Sequence, residues 1–134
     1  MSQAGDLSGP AWALVGDLFL RAKVEALVRD AGLAPRFFAN PAELTAALAK
    51  AHGPEAAGGV PVLLVLDLSD REGRGFRALE SLPSRRPPVL AFYSHVEAET
   101  RTRALSLGAE RVVPRSAFVM QFARLARELI VPRA

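Results

Sequence analysis

The residue of this chain best placed to do chemistry is Asp67, which closes the run Val60 to Asp67, VPVLLVLD. A short run rich in Val and Leu, bounded by Gly58-Gly59 and by polar residues, reads as a strand buried on both faces. Pro61 is compatible with that reading because it falls before the ladder needs its missing N–H. In an open parallel sheet, ligands bind at the carboxyl ends of the strands. Asp67 therefore stands at a binding edge, and its neighbours decide what it does there. The plainer alternative is an acid paired with an arginine, or one capping the helix that follows.

Much other chemistry is excluded by what is missing. The 134 residues contain no cysteine, which removes disulfides, thiolate zinc sites and cysteine nucleophiles. No P-loop, GxGxxG, nucleophile elbow or Ser-His-Asp arrangement occurs, so independent catalysis is not expected. His52 and His95 are far apart and lack nearby acids, so they do not suggest a metal site. His52 suits the end of a helix, where a cationic imidazole is favoured. His95 follows an apolar run, as an exposed helix-start residue or as a pH modulator at the mouth of a site. Arg71, Arg74, Arg77, Arg85 and Arg86 cluster, but Glu72 and Glu80 interrupt them and no stacking aromatics or helix-turn-helix accompany them. They read as a solvated face, with a nucleic-acid surface the less favoured alternative.

The elements that must position Asp67 follow from periodicity and punctuation. Trp12 to Val15 is a short strand, followed by a helix over FLRAKVEALVRDAG whose Phe19, Leu20, Val24, Leu27 and Val28 form one stripe, stopped by Gly32. Pro35 to Phe38 is a second strand. Asn40-Pro41-Ala42-Glu43 opens a second helix, with Asn40 as cap, Pro41 at its first position and Glu43 placed for a capping box. Gly75 to Leu82 is a third helix, Val89 to Tyr93 a fourth strand, and Glu97 to Leu107 a fourth helix ending at Gly108. Arg111 to Pro114 and Phe118 to Ile130 give a fifth strand and helix. Such alternation predicts a doubly wound α/β domain of flavodoxin-like size: a five-stranded parallel sheet with helices on both faces.

The net charge is +3, almost all of the basic residues are arginine, and lysine occurs only at positions 23 and 50. No apolar stretch reaches membrane-spanning length, and the opening MSQAGDLSGP has no signal-peptide pattern, so a soluble cytoplasmic protein is expected. One domain over residues 11–131, with tails at 1–10 and 132–134, accounts for the length.

From about Trp12 to Ile130 the chain resembles the receiver domain of bacterial two-component response regulators. Four landmarks carry the resemblance: Asp17 after the first strand, LLVLD ending on Asp67, PPVLAFYSHV at the fourth strand, and GAERVVPRSAF at the fifth. It implies strand order 2-1-3-4-5 and Asp67 as acceptor of a phosphoryl group from a histidine kinase or small phosphodonor. It also implies Mg²⁺ held by acids at the end of the first strand together with Asp67, a switch hydroxyl after the fourth strand, and a lysine after the fifth. Here the acidic pair is Gly16-Asp17, the hydroxyl position is Tyr93 with Ser94 beside it, and Arg115 replaces the lysine. The metal candidates are thus Asp17 and Asp67 alone, with weakened Mg²⁺ affinity, and Asp6 and Asp70 lie off the family's ligand positions. Arg115 is a planar fork in place of a compact ammonium, and an Asp67–Arg115 salt bridge is the expected charge balance where Mg²⁺ is absent.

Asp17 also reads as the first helix's N-cap, and Ser94 as the fourth helix's cap with Glu97 completing its capping box. The expectation is an atypical, stand-alone receiver-like module working through a protein partner, a histidine kinase or a downstream effector, as monomer or homodimer. Its contact face is built from the fourth helix, fifth strand and fifth helix, including Arg101, Arg103, Arg111, Val119 and Phe122. A phosphorylation-independent pseudo-receiver is the alternative.

Overall fold

The computed structural model describes residues 7–51, 59–94 and 98–130. Its elements alternate as β1 (Pro10–Leu14), α1 (Leu18–Asp30), β2 (Ala34–Phe37), α2 (Pro41–Ala51), β3 (Leu63–Asp67), α3 (Arg74–Ser81), β4 (Val89–Tyr93), α4 (Ala98–Ser106), β5 (Arg111–Pro114) and α5 (Arg115–Ile130). The five strands pair in parallel in the order β2-β1-β3-β4-β5, with β3 central. Leu66 lies opposite Leu14 on one side and Ala91 on the other, so Asp67 emerges one residue beyond the paired ends of β1.

Alternation along each strand divides the core into two layers. Trp12, Leu14, Leu64, Leu66, Val89, Ala91 and Tyr93 meet α2, α3 and α4 through Leu44, Leu48, Leu79 and Ala104. Ala11, Ala13, Leu63, Val65, Leu90 and Phe92 meet α1 and α5 through Leu20, Val24, Val28, Phe118, Phe122 and Leu125. All five residues of β3 are buried, as a strand covered on both faces must be.

The helix punctuation behaves as its chemistry requires. Asn40 Oδ1 accepts the Glu43 N–H at 2.9 Å. After α4, Gly108 takes φ 107°, its N–H reaches the Leu105 carbonyl, and the Ala109 N–H reaches Ala104. That left-handed residue closes the helix with the paired backbone bonds of a Schellman cap, and Gly32 does the same after α1.

Three expectations need correction. β3 begins at Leu63, not Val60; Val60 is 43% exposed, and Val62 only approaches the sheet by donating its N–H to the Pro10 carbonyl. Phe19 is 91% exposed because the buried stripe of α1 is the narrower Leu20-Val24-Val28 row. α5 begins at Arg115, directly after Pro114 ends β5: Arg115 and Ser116 open it exposed to solvent, and Phe118 is merely its first fully buried residue. The helix also kinks at Gln121, with φ −128° and ψ 19°. Asp6, His52, His95 and Glu97 lie outside the described residues. Among those described, no helix is long and apolar enough to cross a membrane.

Candidate functional site

Asp67 is the buried charged residue of the described core, 4% exposed at the carboxyl end of the central strand. Its Oδ1 accepts the Ser69 N–H at 2.9 Å, a local turn that fixes the carboxylate, and the residue lines a cleft. That cleft, of about 370 Å³, is lined by Gly16, Asp17, Ser69, Asp70, Arg74, Ser94 and Arg115, among others. Burial pushes the Asp67 carboxyl above its ordinary range. The charges of Asp70 and Asp17 act in the same direction, while the Ser69 hydrogen bond and the charge of Arg115 oppose it.

Each expected site residue has a definite place. Asp17 is the N-cap of α1, its Oδ1 accepting the Leu20 N–H at 3.0 Å, and it lines the cleft as well. Tyr93 is buried in the layer facing α2, α3 and α4, because strand alternation sends it there with Val89 and Ala91. It therefore does not fill the space beside Asp67. The cleft holds two hydroxyls, Ser69 and Ser94, and the Ser94 N–H and Oγ both reach Ser69 Oγ, linking the loops after β3 and β4. Arg115 is exposed at the start of α5 and lines the cleft. It acts on Asp67 through space, and the expected Asp67–Arg115 ion pair does not form among the described residues.

The ion pair that does form had no place in the sequence reading. Asp70 and Arg74 join through two side-chain bonds of 2.8 Å, Nε to Oδ2 and Nη2 to Oδ1, and the Arg74 N–H adds a third to Oδ2 at 3.0 Å. Arg74 holds the Asp70 carboxyl below the usual carboxylate range. The pair fits because residue 16 has no side chain: a Cβ there would fall 2.5 Å from Asp70 Oδ1 and 2.6 Å from Arg74 Nη2. Its sequence signal was Asp-x-x-x-Arg across a loop-to-helix boundary, a spacing that brings the ends together.

This donor set does not fit Mg²⁺, the ion the receiver resemblance implies. Hard divalent cations need several oxygen ligands converging. Residue 16 offers no side-chain oxygen, one Asp17 oxygen is engaged at the helix cap, and both Asp70 oxygens are committed to Arg74. Among the described residues no group of three acids or histidines is disposed to hold a metal.

Part of the arginine cluster is tied into the fold, while Arg71, Arg77 and Arg85 remain exposed as a solvated face. Besides Arg74, Arg86 is half-buried against Glu110 at 3.1 Å and the Gly108 carbonyl at 2.7 Å, and Arg77 caps back onto the Glu72 carbonyl. On the expected contact face, Phe122 belongs to the core, Arg103 is tied to Glu80 of α3 at 2.9 Å, and Arg111 to Glu128 of α5 at 3.0 Å. The exposed apolar side chain of α5 is Met120, at 81%.

No protein-family model matches the chain, and no curated protein does. Solved structures match over nearly its full length. A response regulator receiver protein from Burkholderia phymatum is 21% identical with a TM-score of 0.71, covering 93% of this chain and 98% of that one. The beryllofluoride-activated receiver domain of Nitrogen Regulatory Protein C is 25% identical with a TM-score of 0.67, covering 92% and 94%. The phosphorylated cyanobacterial phytochrome response regulator RcpA is 22% identical with a TM-score of 0.63, covering 94% and 96%. With its five parallel strands in the order 2-1-3-4-5 and an aspartate closing the central strand, this chain has the fold of the response-regulator receiver domain.

Proposed function

We propose that this chain is a cytoplasmic receiver-type signalling module in which Asp67 accepts a phosphoryl group and the change is read by a protein partner. The observation that carries the proposal is Asp67 itself: a carboxylate buried at the end of the central strand, yet opening on a cleft that also holds Ser94 and Arg115. A carboxylate is costly to bury, and at this edge the cost corresponds to a reactive position. Arg115 supplies positive charge for phosphoryl oxygens, and Ser94 a hydroxyl that can turn toward them. Ser94 heads the segment leading to α4, so a change there passes to the face of α4, β5 and α5, where Met120 is exposed for a partner.

The test is titration of ¹⁵N-labelled protein with beryllium and fluoride, with and without Mg²⁺. The amide signals of Asp67, Ser69, Ser94 and Arg115 are expected to shift under at least one condition, accompanied by residues of α4 and β5. Spectra unchanged around Asp67 under both would contradict the phosphoacceptor role and favour a phosphorylation-independent interaction module.

A further inference from the structure

We infer that the Arg74 guanidinium, anchored by Asp70 in the space left by Gly16, stands in for a divalent cation beside Asp67, so that this cleft takes up a phosphoryl group without a metal ion. The inference rests on the reading of Asp67 as phosphoacceptor and adds what balances the charge there.

Three observations support it. The space that a side chain on residue 16 would enter is filled by the Asp70 carboxylate and the Arg74 guanidinium. The pair is rigidly defined, with both side-chain oxygens of Asp70 and the backbone N–H of Arg74 engaged, so the guanidinium is held at the cleft wall rather than swept through solvent. Arg74 and Asp67 line the same cleft, along with two further arginines, Arg71 and Arg115. A dication brought in beside the guanidinium would be repelled by it and would find the Asp70 oxygens already bonded.

A guanidinium has five donors in a planar fork, and the Asp70 carboxylate uses two of them. In the transfer, an Asp67 carboxylate oxygen attacks phosphorus of an acyl phosphate or a phosphohistidine. The new oxygen–phosphorus bond forms as the bond from phosphorus to the donor's carboxylate or imidazole breaks, and that leaving group departs with the electron pair. Through this step the charge on the transferred oxygens is met by Arg74, held in place by Asp70, and by the exposed Arg115, which swings in from the start of α5.

Two readouts test the inference. In ¹H–¹⁵N spectra titrated with Mn²⁺, the wild-type protein is expected to show no site-specific broadening at Asp67 or Ser69. The double variant Gly16→Asp/Arg74→Ala, which restores an acid and removes the competing cation, is expected to gain it, reversibly with Mg²⁺. The backbone of Gly16 lies outside the left-handed region, and with Arg74 gone the Asp70 carboxylate, a side-chain end, is free to move off the new Cβ. In parallel, acetyl phosphate labelling of the wild type is expected to proceed equally in Mg²⁺ and in excess chelator, while Arg74→Ala slows labelling in chelator by about tenfold or more. Site-specific Mn²⁺ binding by the wild type, or labelling that requires Mg²⁺, would overturn the inference while leaving Asp67 as acceptor. A folded double variant that gains no metal binding would overturn the placement of the cation seat. Wild type unlabelled under both conditions would overturn the phosphoacceptor reading and this inference with it.

Discussion

Replacing Gly75 with alanine is expected to destabilise the fold by about 3 kcal/mol and to disorder the Asp67 cleft. A Cβ at this position would lie 2.1 Å from the carbonyl oxygen of Asp67, 2.8 Å from its carbon and 3.3 Å from the Cα of Leu68. All three atoms are backbone, so no side chain can rotate away. Either α3 must lift off the end of β3 or the strand end must bend, and both routes move the carboxylate. Gly75 is buried in the first turn of α3, so the contact is part of the core and not a surface detail. Thermal unfolding should show a Tm lower by roughly 10 °C, with amide shifts concentrated at residues 67–69. A variant that melts like the wild type with an unchanged cleft would show that α3 is not held against the strand end as described.

Replacing Asp67 with asparagine is expected to have the opposite effect on stability and to abolish phosphoryl acceptance. Asparagine keeps an Oδ1 for the Ser69 N–H and removes a charge that burial disfavours. The gain should be about 1 kcal/mol at neutral pH, with the position's stability traded against its chemistry. The pH dependence has a definite sign. Because the folded-state pKa of Asp67 is raised above the ordinary 3.8, the unfolded chain loses this proton first as pH rises. Asp67 therefore withdraws stability across the interval from its unfolded value up to its raised folded one. The Tm advantage of Asp67→Asn should be small at acidic pH and widen as pH climbs toward neutral. Asp70, lowered by its bonds to Arg74, works the other way: its contribution is present above its unfolded value and lost as pH falls. The two carboxylates are thus separable by comparing each variant's pH profile with that of the wild type. A Tm difference independent of pH would contradict the burial of Asp67.

Much of the fold was legible because local chemistry and global topology agree. The caps at Asn40, Gly32 and Gly108 and the apolar runs of β3, β4 and β5 each announce one boundary, and the structure uses nearly all of them. What escaped were places where a side chain's destination depends on a third element. Phe19 and Leu20 are neighbours of similar character, and only the packing of α1 against the sheet chooses between them. Tyr93 was readable in principle, since strand alternation from Val89 sends it into the core, while its place in the family resemblance is marked only by a hydroxyl. The Asp70–Arg74 pair was hidden most thoroughly. In sequence Arg74 is one of several arginines, Asp70 is one loop acid, and Gly16 is a missing carboxylate. Only the fold reveals that these three facts are one arrangement.

The most direct test of the account is intact-mass measurement after incubation with acetyl phosphate, comparing the wild type with Asp67→Asn. The account predicts one phosphoryl adduct per wild-type chain, lost on treatment with hydroxylamine as an acyl phosphate is, and none on the variant. An unmodified wild type, or an adduct that persists on Asp67→Asn, would contradict the assignment of Asp67 as the residue through which this domain receives its signal.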